Sequence, residues 1–163
     1  MGEEFGGSVE MNARFGKLID KMPSLLRDLE SQPFLSRAEL AGIPKQGIYV
    51  FYQKEKAVYV GRSNRLKERI QEHGRPSSDH YSATLAFRIA KKKLNYEGDE
   101  HRLATRDELE QALGFKEVFF QARLQVAEMQ VKIIGIDDQI TQALFEIYAA
   151  LTLNTQYNDF GTH

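Results

Sequence analysis

Two short β-rich runs set the strongest limit on what this chain can fold into. Gly47-Ile48-Tyr49-Val50-Phe51-Tyr52 and Ala57-Val58-Tyr59-Val60 are dense in β-branched and aromatic residues, and only polar Gln53-Lys54-Glu55-Lys56 separates them. Such side chains favour a pleated, half-buried surface, so the pair is expected as an antiparallel hairpin. With three residues in the turn, Lys54 to Lys56, Gln53 pairs with Ala57, Phe51 with Tyr59 and Tyr49 with Gly61. Tyr49 and Tyr59 then stand on one face as diagonal neighbours. A two-residue turn would place them on opposite faces, because a slip of one position inverts every side chain.

Around the hairpin the pattern is mostly helical. Phe15, Leu18, Ile19, Met22, Leu25, Leu26 and Leu29 recur at helical spacing from Asn12 to Glu30, with a kink or break expected at Pro23. Gly61 is expected to end the second strand, and Ser63 or Asn64 to cap a helix running to about His73. Ser82 to Leu94 reads as another helix, and Thr105-Arg106-Asp107-Glu108 as a capping box opening a short helix that stops at Gly114. Phe115, Val118, Phe119 and Ala122 continue at helical spacing, then Met129, Val131 and Ile133 alternate as a third strand. Asp137 or Asp138 caps a last helix, Gln139 to about Leu153. These elements predict an α/β (α+β) fold: a small three-stranded antiparallel sheet flanked by helices. Residues 1–46 form an N-terminal helical extension on the same domain, and a helical insertion precedes the third strand.

Composition narrows the setting. The 163 residues are 42% hydrophobic, enough for one domain with a real core, and no apolar run approaches the roughly 18 residues of a membrane span. MGEEFGGSVEMNARF has neither an apolar core nor a basic leader, so no secretory signal is expected, and a cytoplasmic location follows by default. With no cysteine, thiolate metal sites are excluded. A formal net charge of −1 rules out attraction to nucleic acid by bulk charge. A local basic face is available, however, in Arg62, Arg65, Lys67, Arg69 and Arg75, followed by Arg88, Lys91, Lys92 and Lys93. Acidic residues gather elsewhere, at Glu97, Asp99 and Glu100 and then at Asp107, Glu108 and Glu110.

Two further features carry chemistry. Arg69 and His73 lie four residues apart and project from one helix face, off the stripe of Leu66 and Ile70, where they could clamp a phosphate and move a proton. Glu146 sits in Ala143-Leu144-Phe145-Glu146-Ile147-Tyr148-Ala149-Ala150-Leu151, apolar nearly all round, so the helix is expected to be largely buried. A carboxylate there must be paired, protonated or metal-bound. A salt bridge to a core arginine and a functional site are both open explanations.

Gly47-Ile48-Tyr49 followed by Tyr59-Val60-Gly61 resembles the signature of the GIY-YIG nucleases, with Val60 in place of the usual isoleucine. The resemblance continues in order through Arg69 and His73 of Leu66–His73, His80 (a position that often holds a histidine or tyrosine), Glu146 and Asn158, covering roughly Gly47 to Phe160. It implies that residues 47–163 form a GIY-YIG domain hydrolysing DNA phosphodiester bonds with Mg²⁺ or Mn²⁺, and that Glu146 is its one protein ligand. Tyr49 would act as base or relay with His73, Tyr59 would position the water or a phosphate oxygen, and Arg69 would neutralise phosphoryl charge. Asn158 would support the site, and Arg62, Asn64, Arg65 and His80 are further candidates for substrate contacts. The expected partner is double-stranded or branched DNA, and double-strand cleavage would need a homodimer or two successive nicks. The N-terminal segment and residues 95–127 exceed the minimal module. A catalytically silent nucleic-acid-binding module on the same fold, or a protein-interaction domain using the N-terminal helix, are the alternatives.

Overall fold

The computed structural model describes residues 10–94, 105–111 and 113–161. The first nine residues and the acidic group at Glu97, Asp99 and Glu100 lie outside them, as does the start of the expected insertion. Strands β1 (Gly47–Gln53), β2 (Lys56–Ser63) and β3 (Gln130–Gly135) form an antiparallel sheet in the order β2-β1-β3. Helices cover both faces, so β1 is buried along nearly its whole length rather than alternating. On one face Tyr49, Phe51, Val131 and Ile133 pack against helices α3 (Leu66–His73), α4 (Thr84–Lys93) and α6 (Leu113–Ala127). On the other, Ile48, Val50 and Ile134 pack against α2 (Met22–Glu30) and α7 (Gln139–Thr152).

The helix starts have local causes. Asn12 caps α1 (Ala13–Asp20) by accepting from Phe15 N, and Lys21 separates α1 from α2, whose first turn holds Pro23. The Thr105 capping box is reciprocal, Thr105 N donating to Glu108 and Glu108 N to Thr105 Oγ1, and opens α5 (Arg106–Gln111). Gly114 does not stop that helix; it lies in the first turn of α6. At the last helix Asp138, not Asp137, accepts from Thr141 N at 2.7 Å. Two other expectations are corrected at the second strand. β2 runs past Gly61 to Ser63, and α3 has no side-chain cap: Arg65 is the N-cap residue, and Leu66 N donates to Lys45 O across the chain.

From Phe51 onward the hairpin has the expected pairs, Phe51 with Tyr59 and Tyr49 with Gly61, by an unexpected route, whereas Gln53 does not pair with Ala57. Its turn has two residues, with Gln53 opposite Lys56, and Lys54 and Glu55 at φ 50° and 64°, as a type I′ turn requires. Such a turn alone would send Tyr59 to the face opposite Tyr49. A bulge corrects this: Tyr52 pairs with Ala57 but Phe51 with Tyr59, so Val58 is an extra residue. Val58 and Tyr59 therefore both join the core that holds Tyr49, while Ala57 and Val60 join the opposite one. Because neither turn residue is the glycine or asparagine that tolerates positive φ, Lys54→Asn with Glu55→Gly should stabilise the protein by about 1 kcal/mol. Urea unfolding checks this; an unchanged or lower midpoint would contradict the turn assignment.

Both sheet edges are partly covered. Leu35 exchanges two backbone hydrogen bonds with Val131 of β3, each 2.8 Å. On β2, Tyr157 N donates to Val58 O, and the Asn158 amide takes both polar groups of Val60. Covering an edge in this way helps keep a small sheet from pairing with other chains. The last helix departs from its expected burial: Phe145, Ala149 and Ala150 pack inward, but Ile140, Ile147 and Leu151 are exposed.

Candidate active site

The two motif glycines are explained by what crosses them. Gly47 has φ 150°, and a Cβ there would overlap the Ile134 carbonyl oxygen and approach Ile136 N to 2.9 Å. Gly61 lies opposite Tyr49, whose ring crosses the glycine so closely that a Cβ would overlap its Cζ and hydroxyl. The missing side chain therefore makes room for Tyr49 beside an edge strand.

Tyr49, Tyr59 and His73 form a closed aromatic group. The tyrosine rings are 6.3 Å apart, and the His73 ring lies 5.6 Å from Tyr49, 5.5 Å from Tyr59 and 5.3 Å from Phe51. Tyr49 Oη and His73 Nε2 are 2.7 Å apart, a short hydrogen bond between two fully buried side chains. Burial pushes the Tyr49 phenol well above its ordinary value, Tyr59 adds to this, and the Arg69 charge opposes it. Burial, then the charges of Arg69 and Arg88, hold the His73 imidazole well below its ordinary range. Both groups are therefore neutral at neutral pH. A neutral imidazole paired with a phenol can accept the phenol's proton.

Arg69 is set by α3 and clamped by the chain entering α4. It donates to Ser82 O at 2.9 Å, Tyr81 O at 3.4 Å, Thr84 Oγ1 at 3.3 Å and Glu72 at 3.4 Å. Asp79 holds that stretch by accepting from the backbone N–H groups of Tyr81 and Ser82. Glu72 also takes a two-pronged bond from Arg65, at 2.7 and 3.2 Å. One carboxylate thus fixes two of the expected arginines, a connection that spacing alone did not reveal.

Glu146 projects from α7 to the outer edge of β2. It is partly buried, with 23% of its side chain exposed, and Oε2 accepts from Arg62 Nε at 3.1 Å. Arg62 is itself an exposed edge residue rather than a core arginine, so the carboxylate is not locked inside the protein. Burial raises the Glu146 carboxyl, with Arg62 and Arg88 acting against it, and the Glu146 charge in turn raises both tyrosines. Among the described residues there is no cluster of three or more His, Cys, Asp or Glu side chains that could enclose a metal. A lone, half-buried carboxylate suits Mg²⁺, which retains most of its waters, better than an ion needing several protein donors.

The remaining candidates divide. Asn158 Oδ1 accepts from Val60 N, its Nδ2 donates to Val60 O, both at 2.8 Å, and Thr155 Oγ1 donates to Oδ1. It braces the strand next to Tyr59 instead of entering the reaction space. Asn64 accepts from Gln139 Nε2 at 2.8 Å, close to the Arg62–Glu146 pair in sequence and space. His80 is not brought to the tyrosines. It is buried against Tyr81 and Phe87, with Nε2 3.7 Å from Asp107.

Arg88 is the residue that sequence reasoning placed only in a basic run. Its guanidinium lies 5.8 Å over the Tyr59 ring and donates to Tyr157 O at 2.8 Å. Four residues on, Lys92 lies 5.6 Å over the Tyr157 ring. Their spacing on α4 hints at a shared face, but only the returning C-terminal segment reveals that this face borders Tyr59.

A family model described as the GIY-YIG catalytic domain matches residues 45–113. The matched span holds Tyr49, Tyr59, Arg69 and His73 and ends before Glu146 and Asn158. No curated protein and no solved structure matches the chain.

Proposed function

We propose that this chain, whose residues 45–113 match the GIY-YIG catalytic domain, is a nuclease of that kind, a metal-dependent endonuclease hydrolysing DNA phosphodiester bonds. The observation that carries this reading is the 2.7 Å contact between Tyr49 and His73, flanked by Tyr59 and Arg69 on one side of β2 and by Glu146 at its edge. A divalent ion held by Glu146, Mg²⁺ or Mn²⁺, supplies Lewis-acid stabilisation of the departing oxygen when bound. The protein's own groups manage the proton and the anionic charge.

Water attacks phosphorus, a new P–O bond forms and the ester P–O bond breaks. As the attack proceeds, the water proton passes to Tyr49 Oη while the Tyr49 proton moves to His73 Nε2 along the existing hydrogen bond. Tyr59 positions the water or a phosphate oxygen. Arg69, held by four partners, meets the growing phosphoryl charge without having to reorganise. Arg88 and Lys92 extend the positive track beside Tyr59, where they would hold the phosphate backbone. The test is nicking of supercoiled plasmid, and cutting of single-stranded, duplex and branched oligonucleotides, with Mg²⁺ or Mn²⁺. Salt-sensitive binding without cleavage of any substrate would instead favour a silent binding module.

The proton path sets a pH dependence. His73 must be neutral to accept a proton, and its depressed pKa keeps it so through neutrality. Cleavage rate should therefore be flat near pH 7 and fall only below the ordinary imidazole value of about 6.5. Tyr49 is shifted up, so no alkaline loss from its ionisation is expected before about pH 10. Initial rates between pH 5 and 9 at saturating metal check this. An acid limb centred above pH 7 would remove His73 from the proposed role.

A further inference from the structure

We propose that a polar cleft between the end of β2 and the start of α7 receives the nucleobase beside the scissile phosphate and reads its edge with carboxamides. This rests on the nuclease reading above for its placement next to the reaction. The cleft has a volume of about 290 Å³ and is lined by Arg62, Ser63, Asn64, Gln139 and Gln142. Three of these five side chains are carboxamides and one is a hydroxyl. Its single charged member, Arg62, is turned onto Glu146.

The position follows from helix geometry. Gln139, Gln142 and Glu146 are separated by three and four residues, so they share one face of α7, with Gln139 and Gln142 lining the cleft and Glu146 one turn beyond them. Arg62 bridges the two regions at 3.1 Å from Glu146. A nucleotide whose phosphate lies at Glu146 would therefore have the cleft next to it.

The lining chemistry selects the ligand group. Phosphates are held by cations and give no sequence information, whereas base edges are read by paired neutral donors and acceptors. With Gln139 Nε2 bonded to Asn64 Oδ1, the pair presents Asn64 Nδ2 as donor and Gln139 Oε1 as acceptor, the combination that adenine N7 and N6 take. These amides are also held in orientation. Gln139 Nε2 donates to Asn64 Oδ1 at 2.8 Å, and buried Gln142 Nε2 donates to Ile136 O at 2.6 Å. Fixing them in the free protein lowers the ordering cost of recognition. The structure thus favours a preference for adenine at one position flanking the cut.

A metal-free selection tests this independently of turnover. The full chain is mixed with a duplex oligonucleotide pool of random sequence in EDTA, and the bound fraction is sequenced. One enriched adenine position is expected, and Asn64→Ala and Gln139→Ala should each flatten that enrichment roughly tenfold. Both residues are exposed, so their melting temperatures should match the wild type. Uniform base frequencies, or an enrichment unchanged in both variants, would overturn the cleft assignment. With Mn²⁺ added, a base preference without any cutting would retain the cleft and reject the nuclease reading. Failure of the pool to bind at all would reject the cleft assignment, and cutting by the same protein once Mn²⁺ is added would retain the nuclease reading.

Discussion

Glu146→Gln is expected to lower metal-dependent cleavage by roughly a thousandfold or more while leaving the fold intact, since bound-metal stabilisation is worth several kcal/mol. Glutamine preserves the side-chain shape and can still accept from Arg62 Nε, so the change removes charge and little else. Mn²⁺ binding, followed by titration, should be lost in parallel. Arg62→Met gives the opposite result in that assay. With the competing guanidinium gone, Glu146 is freed and Mn²⁺ should bind more tightly than in the wild type. Cleavage that persists in Glu146→Gln would remove this carboxylate from the mechanism. Weaker Mn²⁺ binding in Arg62→Met would show instead that the arginine prepares the site.

Gly61→Ala should damage the site from a position that performs no chemistry. The added methyl would overlap the Tyr49 phenol and reach its Cε1 at 2.8 Å. Tyr49 has little room to retreat, because His73 holds its hydroxyl and Phe51 packs edge-on at 5.7 Å. Forced overpacking of this kind costs about 1–3 kcal/mol. A displacement of roughly 1 Å at a reacting group can cost a hundredfold in rate. Thermal unfolding and cleavage assays measure the two losses, and the His73 imidazole resonance should shift as its partner moves. A variant with wild-type melting and wild-type rate would contradict the close crossing of Tyr49 and Gly61.

Buried Tyr49 and His73 also shape stability. His73 has a depressed folded pKa, so its contribution is present above the unfolded value of about 6.5 and is lost as pH falls below it. Tyr49 has a raised folded pKa, so its contribution is present below about 10 and is lost as pH rises beyond it. The neutral pair is thus most stable in the interval where it is best placed to move a proton.

Periodicity made the elements legible, because alternation and helical spacing depend only on neighbouring residues. It located the hairpin, the interruption of the N-terminal helix near Pro23, the last helix start at Asp137 or Asp138, and the shared face of Arg69 and His73. Finer features depended on distant parts of the chain. The tyrosines share a face as expected, but through a two-residue turn plus a bulge at Val58, which no local pattern announces. Glu146 could be recognised as an anomaly in an apolar helix, yet its exposed partner Arg62 lies 84 positions earlier. His80 is a candidate substrate contact from its place in the order, and the structure buries it beside Tyr81 and Phe87. Arg88 gained its meaning only from the Tyr157 carbonyl that it holds.

Asn158 supplies the outer edge of β2 with the two bonds that another strand would have made. Those bonds join residues 98 positions apart. During synthesis the hairpin therefore emerges long before its brace does. Until Asn158 follows, the Val58–Val60 edge is open and Tyr59 stands in an unfinished sheet. A nascent chain would thus carry the two tyrosines of the candidate site without the means to hold them in place, and the finished site would arrive late and all at once.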